Sequence, residues 1–161
     1  MDNASTELLV AYLNSARGHV RAALEGVSEE DLRRPVTPSG WSMLGMVQHL
    51  ALDVERFWFR AVMAGEDVDL CTGDQAWQVA PGVTSEQVIA TYISECDLAD
   101  AIIRRLPLDA AAAAWREEWG PLMVESLLDV VVHVIKETAT HAGHLDIARE
   151  AIDGHQHLVL T

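Results

Sequence analysis

The sequence predicts one all-α domain, a four-helix bundle over residues 1–161. Apolar residues recur at steps of three and four along four long segments, which is the spacing of helices that bury one face. Glycine and proline residues separate these segments, and no stretch alternates apolar and polar residues as a half-buried strand does. Half of the residues are apolar, so a chain of this length can form one sizeable core.

Capping residues and helix breakers predict the helix boundaries. Ser28 and Ser42 are suited to cap the helices that follow them, and Thr84 forms a capping box with Gln87. The predicted helices span residues 5–26, 28–32, 42–64, 84–106 and 123–152.

The loops between these helices suggest the order of the bundle. The connection over residues 65–83 is long enough to cross the length of the bundle, so helices two and three can run parallel. We therefore expect an up-down-down-up arrangement. Pro121 is expected to close the second long loop, and Gly154 to end the last helix.

Charge and composition exclude several classes of protein. The chain has 25 acidic and 11 basic residues, and its net charge of −14 repels nucleic acid phosphates and anionic membranes. No apolar run reaches about 18 residues and no signal segment opens the chain, so we expect a cytoplasmic protein that binds neither nucleic acid nor membrane. Cys71 and Cys96 form no CxxC pair, and Cys96 has the spacing of a core residue.

A polar cluster in helix four is the strongest functional signal. His133, Glu137, His141 and His144 fall on one stripe, at about 0°, 40°, 80° and 20° around the helix axis. Apolar residues of this helix lie at about 60° to 120°, so we expect the cluster to point into the core. Because a buried carboxylate needs a partner, the pattern predicts a divalent metal. The alternative for each histidine is a buried structural residue that hydrogen-bonds to the backbone.

One helix face rarely presents three metal ligands, so another ligand must come from a different helix. Periodicity places His49 in a polar sector of helix two, which predicts a surface position. His19 lies on predicted helix one, near the border between its exposed and buried faces. The tail around His155 and His157 resembles a metal site only in composition, and we expect it to be frayed. Four tryptophans lie in loops, where they either rim a pocket or cap the bundle ends: Trp41, Trp77, Trp115 and Trp119.

Several motifs together resemble those of a known family. Residues 40–50 read GWSMLGMVQHL, residues 54–59 read VERFWF, and residues 133–154 begin with HVIKETATHAGH and end with IDG. In this order they resemble the DinB-like superfamily of metal-binding four-helix bundles. Within it, the chain is similar to the branch related to the mycothiol-dependent maleylpyruvate isomerases. The resemblance covers nearly the whole chain.

The resemblance implies a metal triad of His49, Glu137 and His141, with His133 and His144 beside the metal or in its pocket. It also implies that His49 faces a solvent-connected pocket, contrary to its spacing. Two imidazoles and one carboxylate leave a coordination position open, as in a catalytic zinc site. Zinc is the first expectation for the metal, and nickel, iron, manganese and cobalt accept the same ligands.

Functions of different classes stay open at this point. The first is a metal-dependent enzyme that activates mycothiol as cosubstrate for S-transfer to, or isomerisation of, an electrophilic small molecule. The second is a non-catalytic bundle that binds a metal or a small molecule. A fourth protein ligand from His144 or His133 favours the second, and a solvent-reachable metal favours the first. Metal-assisted hydrolysis is a third option for the function. Separately, the resemblance implies that the chain forms a homodimer.

Overall fold

The protein is described by a computed structural model that covers residues 3–120 and 124–157, and no strand occurs in these ranges. Its helical elements, in chain order, are α1 (Asn3–Leu24), α2 (Glu29–Arg33), α3 (Met43–His49), a π-helical segment (Leu50–Met63), α4 (Ser85–Arg105) and α5 (Leu127–Asp153). Two 3₁₀ turns, Gln75–Trp77 and Glu117–Trp119, lie in the long loops.

The π segment continues α3 without a break, so the two form one rod. This rod and the helices α1, α4 and α5 are four long helical rods that pack around one core. The rod α1 packs mainly against α5, and α4 packs mainly against the π segment. All four contribute fully buried apolar side chains, among them Leu13, Phe59, Ile103 and Leu127. The predicted all-α helical bundle is thus confirmed, while the up-down-down-up order stays a prediction. Across the described ranges, no helix combines the length and the apolar character needed to cross a membrane.

The helix α4 begins where side chains satisfy its first amides. Thr84 and Gln87 form the predicted capping box: the Gln87 amide donates to Thr84 Oγ1 at 3.2 Å, and the Thr84 amide donates to Gln87 Oε1 at 2.9 Å. Gly154 ends α5 in the left-handed conformation, with φ 77°, as expected.

The predicted start of the last helix near residue 123 was wrong. The helix α5 begins at Leu127, because Ser126 and Asp129 form a second capping box. In it the Ser126 amide donates to Asp129 Oδ2 at 3.0 Å. Val124 is therefore non-helical although it is buried. Pro121 lies outside the described residues.

The second half of the predicted helix two is a π-helix rather than an α-helix. At its end the Ala64 amide donates to the carbonyl oxygen of Phe59, five residues earlier, at 2.9 Å. Because each residue of such a helix turns less than 100° around the axis, an α-helical wheel misplaces residues after His49. The segment still buries an apolar stripe that includes Leu50, Val54 and Phe59.

A buried ion cluster joins three rods of the bundle. The Arg17 guanidinium of α1 donates from Nε and Nη2 to both Glu55 oxygens in the π segment, at 2.7 and 2.6 Å. Its Nη1 donates to Asp100 of α4 at 2.6 Å and to Asn14 at 2.9 Å. Arg17 and Glu55 are 2% and 1% exposed, so the pair is sealed from water. Burial raises the pKa of Glu55, although the charge of Arg17 opposes that shift.

Two further buried charges are also paired within the bundle. Arg149 of α5 donates from Nη1 to the carbonyl oxygens of Ala23 and Glu25, at 3.0 and 2.7 Å, and so caps the C-terminal end of α1. Glu95 of α4 is 4% exposed and accepts a hydrogen bond from Arg56 Nε at 2.8 Å. These contacts fix the relative positions of the rods that carry the candidate site.

We expect Arg17→Met to lower the free energy of unfolding by about 3–5 kcal/mol, because it leaves the Glu55 carboxylate buried without its partner. The double variant Arg17→Met/Glu55→Leu is expected to recover much of that loss. Arg34→Ala, which removes an exposed pair with Asp31, is the control and costs less than about 1 kcal/mol. Urea denaturation measures all three, and equal losses for Arg17→Met and Arg34→Ala would contradict the structural role of the pair.

Candidate functional site

His49 lies at the junction of α3 and the π segment, under a loop tryptophan. Its side chain is 15% exposed, and its ring stacks on Trp77 with the ring centroids 4.1 Å apart. Its Nδ1 atom lies 3.1 Å from Oδ2 of Asp53, one turn along the chain. The surface position that periodicity predicted for His49 is therefore wrong, since the Gln75–Trp77 turn covers its ring.

Residues of α5 contact both His49 and Trp77, whose ring centroid lies 5.9 Å from that of His141. The His141 ring meets the His49 ring edge-on, with centroids 5.3 Å apart. Nε2 of His141 lies 3.6 Å from Oε2 of Glu137, and Nδ1 of His141 lies 3.4 Å from Nδ1 of His144. The other Glu137 oxygen is 3.8 Å from Nζ of Lys136. Thus α3 and α5 bring two imidazoles and one carboxylate to the same region of the bundle.

We predicted that the cluster on α5 lies within the core, and this prediction was wrong. The cluster lies beside the core. His144 is exposed, and His133, Glu137 and His141 are partly exposed. The buried stripe of α5 includes Val134 and Leu145, at about 100° to 120° from His133 around the axis, so the polar cluster falls on the flank of that stripe. This flank position leaves the cluster reachable from solvent.

The electrostatic surroundings favour neutral imidazoles at this site. Partial burial lowers the pKa of His141, and the neighbouring His49 lowers it further, whereas Glu137 opposes the shift. Burial also lowers the pKa of His133, again against the effect of Glu137. A neutral imidazole keeps a nitrogen lone pair for a metal or a hydrogen-bond donor.

The turn that carries Trp77 is fixed to α3 by close packing. A Cβ atom at Gly45 would overlap the backbone carbonyl oxygen of Trp77. Gln48 Nε2, one turn further along α3, donates to the carbonyl oxygen of Ala76 at 2.9 Å. The absence of a side chain at Gly45 thus lets the turn approach closely enough to place the Trp77 ring over His49.

His133 lies apart from the imidazole pair, in an aromatic cleft. Its ring meets Trp58 with centroids 4.9 Å apart. The cleft has a volume of about 670 Å³, and Lys136 lies at its edge. Its aromatic lining consists of Phe57, Trp58, Trp115 and Trp119.

A second cleft of about 590 Å³ adjoins the aromatic cleft, because Phe57 and Trp119 line both. Asp53 and Arg116 also line this second cleft. Since Asp53 contacts His49, the second cleft extends to the region of the imidazole pair. The loop tryptophans Trp115 and Trp119 therefore rim a pocket, which is one of the two roles expected of them.

A model of the mycothiol S-transferase family, described as "MST: Mycothiol-S-transferase", matches residues 8–154. The chain belongs to this family. The predicted resemblance to the DinB-like superfamily and its mycothiol-linked proteins is thereby confirmed. No curated protein and no solved structure matches the chain. Family membership implies a low-molecular-weight thiol, mycothiol, as a substrate.

The ligand-atom spacing separates the expected triad from a second group. Within residues 3–120 and 124–157, one group of three metal-capable side chains has its ligand atoms all within 4.8 Å of each other: His19, Asp146 and His157. The expected triad of His49, Glu137 and His141 is more open than this group.

Several of these contacts were not predicted from the sequence. Asp53 follows His49 by four residues, a spacing at which two side chains on a helix are neighbours, so the sequence did carry a signal for this contact. His19, Asp146 and His157 come from distant parts of the chain and share no periodicity. The predicted frayed tail was also wrong for the described residues, because Gln156 Nε2 donates to Glu150 at 2.8 Å and the His157 ring stacks on His19.

We expect Gly45→Ala to displace the Gln75–Trp77 turn and to lower the free energy of unfolding by about 1–3 kcal/mol, because the added methyl group meets backbone. The indole N–H signal of Trp77 in a ¹H–¹⁵N spectrum, assigned with Trp77→Phe, should shift as the ring leaves His49. The control is Gly18→Ala in α1, where an added Cβ meets nothing within 4 Å. An unchanged Trp77 signal and unchanged stability in Gly45→Ala would show that the close approach is not required.

Proposed function

We propose that this chain is an enzyme that joins mycothiol, through its sulfur, to an electrophilic small molecule, with a divalent metal, zinc first, on His49, Glu137 and His141. The observation that carries the proposal is the convergence of His49 from α3 with His141 and Glu137 from α5. It occurs at solvent-reachable edges of a bundle that belongs to the mycothiol S-transferase family.

The residues at this place fit a divalent metal by their chemistry. Two imidazoles and one carboxylate are a common ligand set of zinc sites with an open position. When Nδ1 of His49 carries the proton, it donates to Asp53 Oδ2 at 3.1 Å and leaves Nε2 free to coordinate. The spacing requires Glu137 to turn toward the imidazoles. The Glu137 side chain can rotate in this way because it is 30% exposed and its contact with Lys136, at 3.8 Å, is long.

Within the proposed reaction, the bound metal would supply a Lewis acid that lowers the pKa of a coordinated thiol. Asp53 would hold His49 in one tautomer, and His144, 3.4 Å from His141, would orient that ring. Trp77 covers the His49 ring and excludes water from that side. The thiol gives up its proton to solvent, and its sulfur forms a bond to the electrophilic carbon. In a substitution a leaving group departs from that carbon with its electron pair, whereas in an addition the π electron pair moves to the neighbouring atom, which takes up a proton.

The thiols of the chain itself are poor candidates for the nucleophile. Burial raises the pKa of Cys71, and the negative charge of Asp53 raises it further. Burial also raises the pKa of Cys96, which is 9% exposed. Reactive cysteines have a lowered pKa and access to solvent. An external thiol such as mycothiol is therefore the more reasonable source of the sulfur.

The two clefts beside the site offer room for the electrophile. Their shared wall of Phe57 and Trp119 suits an apolar or aromatic body. Lys136 at one cleft and Arg116 at the other can each pair with an anionic substituent. The substrate class thus favoured is an electrophile with an apolar body.

A non-catalytic metal-binding bundle is the second candidate, and the position of His144 is the observation that favours it. Its Nδ1 atom lies 3.4 Å from His141, so it can supply a fourth protein ligand that would close the metal to substrates. His133 is the weaker candidate for that role, because its ring packs against Trp58. The homodimer and the cytoplasmic location implied by the resemblance stay predictions.

We expect His141→Ala to lose the metal of this site and to lower the rate of mycothiol transfer by more than about 100-fold. Metal content of untagged protein, measured by plasma mass spectrometry, and transfer to a chlorinated aromatic electrophile check both. Asp109→Asn, at an exposed position, is the control. Full activity in His141→Ala would contradict the proposal. Metal binding without thiol transfer would favour the non-catalytic bundle, and mycothiol-independent cleavage would favour metal-assisted hydrolysis.

We expect Asp53→Asn to weaken metal affinity or transfer activity by about 10–100-fold, because the amide holds the His49 ring less firmly than the carboxylate does. Asp109→Asn, at an exposed position, should leave both unchanged. Zinc affinity from competition with a chromophoric chelator separates a loss of metal from a loss of turnover. Unchanged affinity and unchanged turnover would remove Asp53 from the site.

A further inference from the structure

Three side chains from distant parts of the chain meet beside α1. Nε2 of His19, on α1, lies 2.8 Å from Oδ1 of Asp146, on α5. The ring of His157, in the C-terminal tail, stacks on the His19 ring with centroids 3.9 Å apart. The ligand atoms of the three all lie within 4.8 Å of one another. We propose that His19, Asp146 and His157 form a second metal site, for a divalent transition metal, that attaches the tail to the bundle.

The spacing of these ligand atoms is close to that of a coordinated metal. Ligand atoms about 2.1 Å from a tetrahedral zinc lie about 3.4 Å from each other. Small side-chain rotations therefore suffice to admit an ion, and the stacked rings must tilt apart so that both nitrogens face it. His157 lies beyond the last turn of α5, so its ring can tilt without disturbing a helix.

The charges around the group suit a cation. Asp146 contributes one carboxylate, and the imidazoles are neutral ligands when a metal takes their protons' place. Arg149, which lines the adjacent cavity, is already occupied, because its Nε donates to Asp153 at 2.8 Å and its Nη1 to the carbonyl oxygens of Ala23 and Glu25. It therefore does not compete for Asp146.

A small cavity beside the group gives room for an ion and a bound water. It has a volume of about 190 Å³ and is lined by Asp146 and His157 together with His155 and Glu25. His155 and Glu25 can supply a fourth ligand, directly or through water. Nitrogen-rich ligands of this kind select zinc, cobalt, nickel or copper over calcium and magnesium.

The second site is independent of the proposed catalytic site. The two share no residue: the triad joins α3 to α5, whereas the second group joins α1, α5 and the tail. A metal here would stabilise the folded chain by mass action, because the three ligands come together only in the fold. Its expected role is structural, and removing it should not change the transfer chemistry.

The test uses untagged protein stripped of metal and titrated with Co²⁺, whose absorption bands report nitrogen and oxygen ligands. We compare wild type, His141→Ala, His19→Ala and the double variant His19→Ala/His141→Ala. Wild type should bind about two ions per chain, each single variant about one, and the double variant about none. Asp146→Asn repeats the His19→Ala test in a side chain of the same size, and Asp109→Asn, at an exposed position, should bind as wild type does.

Thermal unfolding provides a readout apart from stoichiometry. Co²⁺ should raise the unfolding temperature of His141→Ala, and this rise should vanish in the double variant and in Asp146→Asn/His141→Ala. Absence of bound ion in His141→Ala would overturn the second site. If one ion remains in His141→Ala and His19→Ala binds one ion fewer than wild type, the second site is established. If wild type binds no more ions than His141→Ala does, the triad is overturned. Circular dichroism confirms that each variant is folded.

Discussion

Arg17 donates two hydrogen bonds to Glu55 in the interior, at 2.7 and 2.6 Å, and the positions of the other elements depend on this pair. A bidentate contact between a guanidinium and a carboxylate has one favourable geometry, so it fixes the register of α1 against the π segment. The third partner, Asp100, adds α4 to the same cluster. Glu55 follows His49 by less than two turns, so this register also determines where His49 meets α5.

The candidate site then depends on how closely a loop can approach α3. Gly45 admits the backbone of the Gln75–Trp77 turn, and Gln48 holds the turn by a hydrogen bond at 2.9 Å to Ala76. The Trp77 ring is thereby stacked on His49, which leaves the imidazole edge toward α5. Packing of a loop, rather than the polarity of the helix surface, decides the environment of His49.

Local chemistry predicted much of the fold, since Thr84 with Gln87 and Gly154 act through neighbours a few residues away. The start of α5 was misplaced because apolar residues before Leu127 extend the helical pattern past the Ser126 cap. Periodicity misjudged His49, because a helical wheel does not contain the loop that covers the ring. The contact of His19 with the tail was out of reach for the same reason: it is formed by the fold and leaves no spacing in the sequence.

The same electrostatic rule leads to opposite outcomes at two places in the bundle. A charge in a medium of low dielectric needs a partner, and the sealed Arg17–Glu55 pair satisfies that need within the chain. His141 and Glu137 are instead 13% and 30% exposed, and their separation of 3.6 Å leaves both with unused coordination capacity. Burial raises the pKa of the two cysteines, so the chain holds no activated thiol of its own. Under the proposed function, this half-open cluster would hold a metal with an open coordination position, and the thiol of mycothiol is the ligand that would occupy it.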